Sequence, residues 1–203
     1  MGKFIVFEGL DGSGKSTHIK LLSNYLISQG KHVYITAEPT DYDSGKQLRA
    51  ALSGSVKKSA CELAVMFTYD RIAHNINSAS GIGAMLKDGA YVICDRYYYS
   101  TLAYQGSETD FEWVRSMNIE CPEIRKPDVC IFLDLSPEIC IKRINDSRES
   151  KEIYETLEKL TQVKQKFKYA FDVLSATDNI KIVDADRNID EVSGDIKQII
   201  DNL

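Results

Sequence analysis

The sequence predicts an α/β fold of three layers, a five-stranded parallel sheet with helices on both faces and a short lid. Three features of the chain predict it. Short β-branched or aromatic runs alternate with longer segments of helical period. Each run ends in a polar exit that carries an acid. A glycine-rich loop stands between the first run and the first helical segment.

The runs at residues 4–7, 33–37, 91–94, 129–133 and 180–183 read as buried strands, each bounded by polar residues or Gly. Helical segments fall at about 15–29, 59–79, 136–146, 151–174 and 189–201. Such alternation implies right-handed crossovers, and in an open parallel sheet ligands bind beyond the carboxyl ends of the strands. The exits there are Glu8-Gly9, Glu38-Pro39-Thr40, Asp95-Arg96, Asp134-Leu135-Ser136 and Asp184-Ala185-Asp186-Arg187. A charge is costly in a core, so all five strand ends are expected to face one wet crevice.

With 203 residues and no linker, repeat or low-complexity tract, one domain over 1–203 is expected. Lys plus Arg number 25 against 30 Asp plus Glu, a net charge of −5, which argues against nucleic acid as a partner. No apolar run is long enough to span a bilayer, so no membrane partner is expected either. The N-terminus enters a strand pattern at once, without a signal-peptide pattern. The five cysteines hold no C-x-x-C pair and read as reduced core residues of a cytoplasmic protein. His18, His32 and His74 show no partner pattern and read as surface or structural residues.

Gly9-Leu10-Asp11-Gly12-Ser13-Gly14-Lys15-Ser16-Thr17 fits G-x-x-x-x-G-K-[ST] in the strand–loop–helix context the motif requires. Its glycines let the loop turn tightly and aim successive backbone N–H groups at phosphate oxygens. The helix that follows adds its positive N-terminal end. Lys15 can reach the β- and γ-phosphates of ATP, and Ser16, with Asp95, is expected to hold Mg²⁺. A GTPase would show N-K-x-D, and no Asn-Lys dipeptide occurs. A motor or transporter ATPase would usually be larger. A small phosphotransferase or a nucleotide-dependent switch remains.

Three arginines stand where a second anion could sit: Arg49 after the Glu38-Pro39-Thr40 exit, Arg71 four residues after Phe67, and Arg96 beside the cradle if the strands neighbour. Phe67 and Arg71 share one helix face. A ring with arginines one turn away suits a flat base attached to a phosphate, although an isolated Phe is more often core.

Glu38-Pro39-Thr40, Phe67-x3-Arg71, Asp95-Arg96-Tyr97 and Ser100-Thr101-x2-Tyr104-Gln105-Gly106, followed by Lys126-Pro127-Asp128, together resemble the thymidylate kinases. The resemblance runs from Phe4 to about Asp186. It implies a P-loop kinase fold, ATP-dependent phosphorylation of thymidine monophosphate, and a homodimer. It implies that Asp11 faces the donor–acceptor junction and that Glu38, Pro39 and Arg49 border the thymidylate site. Phe67 is implied to stack on thymine, Arg71 to serve base and phosphate, and Arg96 to bind phosphate. Thr101, next to Ser100, falls at the thymine edge, and Tyr104 where a tyrosine crowds the sugar 2′ position. Nucleoside kinases tend to show Glu-Arg-Ser where this chain has Asp95-Arg96-Tyr97.

Some members of that family place a basic residue in the cradle after the acid, and here that position is Gly12. The charge is then expected from a lid at about 143–151, a polar break between two helices. Arg143 is placed like the family arginine that packs on adenine. Arg148, with Lys151 as deputy, is expected to touch the transferring phosphoryl group. No general base is required, because the acceptor monophosphate is already ionised.

Overall fold

A computed structural model describes residues 2–147 and 156–203. Among them five parallel strands carry the fold: β1 (Lys3–Gly9), β2 (Val33–Ala37), β3 (Tyr91–Asp95), β4 (Val129–Asp134) and β5 (Ile180–Asp184). Their spatial order is β2-β3-β1-β4-β5. β1 therefore lies at the centre, with Phe7 opposite Asp95 on one side and Ile131 on the other. Burial follows position. Ile5, Val6 and Phe7 of β1 are fully buried, whereas Ile35 and Ile182 on the edge strands are exposed.

The helices are α1 (Lys15–Ser28), α2 (Asp43–Leu52), α3 (Ala60–Ile76), α4 (Ile82–Lys87), α5 (Tyr98–Tyr104), α6 (Phe111–Ile119), α7 (Pro137–Ser147), α8 (Leu157–Leu174) and α9 (Ile189–Asp201). α1, α3, α7, α8 and α9 answer to the segments of helical period. α8 starts at Leu157 rather than 151, because the Thr156 side chain accepts from the Lys159 N–H and caps the helix there. α3 opens with a capping box between Ser59 and Glu62. α5 is buried on every side, from Tyr98 to Tyr104, so it has no amphipathic period to read. α5 packs against α8, and α1 against α9.

α7 ends at Ser147, one residue past the helical segment expected there, so the first residues of the expected lid belong to its last turn. Arg148 and Lys151 lie outside the described residues.

The packing of α8 on the sheet depends on an aromatic cluster. Phe167 lies with its ring centroid 5.0 Å from Phe132 and 6.2 Å from Tyr104, and none of its surface is exposed. Phe167→Ala is expected to cost about 3–5 kcal/mol in denaturant unfolding, the usual range for emptying a buried Phe site; a loss below about 1 kcal/mol would show that α8 is not held this way.

Candidate active site

The cradle begins where β1 ends. Gly14, with φ 97°, stands at the N-terminus of α1, and Lys15 is the first helical residue. Gly12 has φ 80°, and a Cβ there would lie 2.6 Å from the Cys140 carbonyl oxygen of α7. A side chain at position 12 therefore collides with α7 as well as straining the backbone. Lys15 is buried and lies 3.2 Å from both the Gly9 and Leu10 carbonyls, which accept from its ammonium group. Burial, with Arg96 nearby, lowers its pKa. Arg143 reaches the loop from α7, with Nη1 3.4 Å from the Gly12 carbonyl.

Across the cradle stands Arg96. Pairing of β1 with β3 sets their exits side by side, and the Arg96 N–H donates to the Phe7 carbonyl at 2.9 Å. Among the described residues, Arg96 is the non-glycine residue with positive φ, 68°. That conformation is costly for a side chain and needs surroundings that enforce it. Glu8 supplies them. Its buried carboxylate accepts from the Tyr97 N–H at 2.8 Å, the Ser100 N–H at 3.1 Å and the Ser100 hydroxyl at 2.6 Å. It thus caps α5 from a neighbouring strand. Burial raises the Glu8 pKa, and Arg96 opposes that rise. The Cys94 thiol donates to the Arg96 carbonyl. So held, the guanidinium reaches Asp11 Oδ1 at 2.6 Å and Ser100 Oγ at 2.8 Å and lies over the Tyr104 ring.

Beyond Arg96 lies a cleft of about 710 Å³ that joins the cradle to a second wall. Glu38, Pro39, Arg49, Phe67, Arg71 and Thr101 line that wall, with Ser100 and Tyr104 nearer the cradle. Asp11, Gly12, Gly14, Lys15, Ser16 and Thr17 line the cradle side. Gly9, Leu10 and Ser13 are buried beneath it. Arg71 is itself buried. Its Nε lies 2.8 Å from Glu38 Oε2, Nη2 lies 3.0 Å from Thr101 Oγ1, and Nη1 donates to Asn118 Oδ1. With Nη2 also 2.7 Å from Glu38, the guanidinium has little left to offer a phosphate as a two-pronged fork. A single acceptor on a base suits it better. Arg49 is more exposed and donates to the Pro39 carbonyl and Asp41.

A family model described as "Thymidylate kinase" matches residues 7–196. The chain belongs to the thymidylate kinase family. A "Thymidylate kinase" of Leptospira interrogans is 37% identical over 193 residues, 93% of this chain and 89% of that protein. A "Probable thymidylate kinase" of Methanococcus aeolicus is 42% identical over 171 residues, 82% of this chain and 78% of that protein. Another of the same description, from Pyrococcus horikoshii, is 34% identical over 207 residues and covers 98% of this chain and 96% of its own. The family's activity is phosphoryl transfer, and the five-stranded parallel sheet agrees with its P-loop kinase fold.

The expectation of five acids around one crevice does not hold. Glu38 and Asp95 line the cleft, but Glu8 is fully buried and spent on α5. Asp134 pairs with Lys164 at 2.7 Å, and Asp184 lies 3.7 Å from Arg187. A buried carboxylate is tolerable when N–H and O–H groups surround it, which the sequence pattern does not reveal. Asn118 went unread, and His74 was read only as a surface or structural residue. Asn118, fully buried on α6, holds Arg71 from a distant part of the chain and carries no sequence signal. His74 does carry one, since it follows Phe67 and Arg71 at the next turn of the same α3 face.

Among the described residues Asp95 Oδ1 is buried without a hydrogen-bond partner, in the cleft that Ser16 also lines, the kind of oxygen a Mg²⁺–phosphate complex could engage. Among the described residues no three-residue His/Cys/Asp/Glu cluster could hold a metal, so most oxygens would have to come from phosphate and water. Gly12→Ala is expected to lower stability by about 1–3 kcal/mol. It should also weaken ATP binding at least tenfold; unchanged melting and ATP affinity would contradict the clash with α7.

Proposed function

We propose that the chain transfers the γ-phosphoryl group of ATP to thymidine monophosphate in this cleft, making the diphosphate. One observation carries the reading: Arg96 stands between the phosphate cradle and the Phe67–Arg71 wall and is ion-paired to Asp11 of the cradle. A simple nucleotide switch has no use for a second, base-sized wall facing its phosphates.

Phosphoryl transfer asks little covalent chemistry of a protein, which must align two anions and offset their repulsion. Lys15 and the cradle N–H groups would hold the triphosphate, with Arg143 against adenine. Phe67 would stack on thymine, and Arg71 would donate to one base acceptor. Arg96 would exchange Asp11 for the acceptor phosphate, leaving Asp11 at the junction. Glu38, Pro39, Arg49, Ser100 and Thr101 border that acceptor site, and Tyr104, under Arg96, would crowd the sugar 2′ carbon. Arg148, with Lys151, would bring charge from the lid. Ser16 and Asp95 would hold Mg²⁺, which when bound neutralises phosphate charge.

The reading includes one domain over 1–203 and a cytoplasmic homodimer. No described helix is long and apolar enough to cross a membrane. Supporting a homodimer, Val65, Tyr69 and Ile76 leave an exposed apolar stripe along α3.

Coupled ADP release with ATP, Mg²⁺ and a panel of nucleoside monophosphates is expected to peak with thymidylate, and a peak with adenylate or cytidylate would contradict the reading. Lys15→Ala should lower turnover by about 10²–10³ or more, and a full rate would dismiss the cradle. Tyr104→Ala should relax exclusion of ribonucleotides, by a ratio of kcat/KM values about tenfold or greater; an unchanged ratio would move that role elsewhere.

A further inference from the structure

We propose that His74 is a positioning residue for the acceptor nucleotide, fixing Glu38 and through it the guanidinium of Arg71. The inference rests on the reading that Arg71 faces the base of that nucleotide. His74 Nδ1 lies 3.0 Å from Glu38 Oε1, while Glu38 Oε2 takes the Arg71 Nε at 2.8 Å. On its far side, His74 Nε2 lies 2.7 Å from Thr36 Oγ1. The His74, Glu38 and Arg71 side chains are each only 1–2% exposed.

The network assigns the proton positions. Glu38, paired with Arg71, accepts, so Nδ1 of His74 carries the hydrogen that points at it. In the neutral ring Nε2 then accepts from the Thr36 hydroxyl. The result is one line of contacts from edge strand β2 through α3 to the exit of β2 and back to Arg71. Tyr42 packs edge-on against the imidazole, with centroids 6.4 Å apart, and restrains its tilt.

Each carboxylate oxygen of Glu38 thus has its own anchor. With His74 removed, Oε1 becomes a buried acceptor lacking that donor, and the carboxylate is free to turn toward the cleft. Arg71 would follow it, because two of its nitrogens lie within 3 Å of Oε2. The misplacement falls on the acceptor wall and spares the phosphate cradle, so it should appear in thymidylate binding alone.

Steady-state kinetics on the full chain test this. His74→Leu is expected to raise the KM for thymidylate about 10–100-fold, the scale for a displacement near 1 Å. Its KM for ATP and its kcat should stay within about threefold, the signature of lost uniform binding. His74→Asn keeps an N–H near the Nδ1 position and should return the thymidylate KM to within about threefold of wild type. Thr36→Val should raise it in the same direction by less, and should add nothing in the His74→Leu background. A folded His74→Leu protein with a wild-type thymidylate KM would overturn the proposal, as would equal rises for both substrates. If His74→Leu does not fold, the other two variants decide: Thr36→Val at the wild-type KM, or His74→Asn far above it, overturns the relay. A wild-type protein that fails to saturate with thymidylate overturns the underlying functional reading instead.

Discussion

The site depends on one backbone constraint, the left-handed turn at Arg96. Two parallel strands end side by side, and the chain leaving β3 must turn back over the cradle that leaves β1. Phe7 accepts the Arg96 N–H, and Glu8 accepts from Tyr97 and from the first turn of α5. Those bonds hold φ at 68° against the preference of any residue with a Cβ. The same short stretch of β1 therefore founds the phosphate loop and aims the arginine opposite it. Relaxing the turn would leave both halves of the cleft folded but no longer facing one another.

Electrostatics completes that arrangement. Arg96 rests on Asp11, and Arg71 rests on Glu38, so each of these two guanidiniums of the cleft is held by a carboxylate. Unpaired, a buried guanidinium would be far more costly than these pairs. The pairs differ in what they leave for a ligand. The Arg96–Asp11 pair is about one-fifth exposed and opens on the cleft, so a phosphate can compete for the arginine. Arg71 is almost fully enclosed and bonded on every nitrogen, which suits a fixed donor to one atom. One arginine is built to exchange partners, and the other to keep them.

Much of this was legible in the sequence, for identifiable reasons. The strands announced themselves because buried parallel strands are short, apolar and sharply bounded, and the cradle because its glycines have a fixed spacing. Arg96 was placed beside the cradle on the condition that the strands neighbour, and the pairing of β1 with β3 meets it. α5 was not legible, since a helix buried all round has no period. Glu8 could be seen only as a strand-exit acid, because its partners, Tyr97 and Ser100, lie 89 and 92 residues away. His74 and Asn118 were missed because their work is done on other side chains. The end of α7 was legible to within a residue, its expected segment closing at 146 and the helix at Ser147.

A crystal structure with a non-hydrolysable ATP analogue and thymidylate bound together tests the central claim most directly. The account predicts that Arg96 keeps its positive φ and its backbone bond to Phe7, with Tyr97 and Ser100 still bonded to Glu8, while its guanidinium leaves Asp11 for the acceptor phosphate, with the two nucleotides meeting between it and Lys15. A complex in which both nucleotides bind while Arg96 still grips Asp11, or in which the turn relaxes to a negative φ, would contradict it.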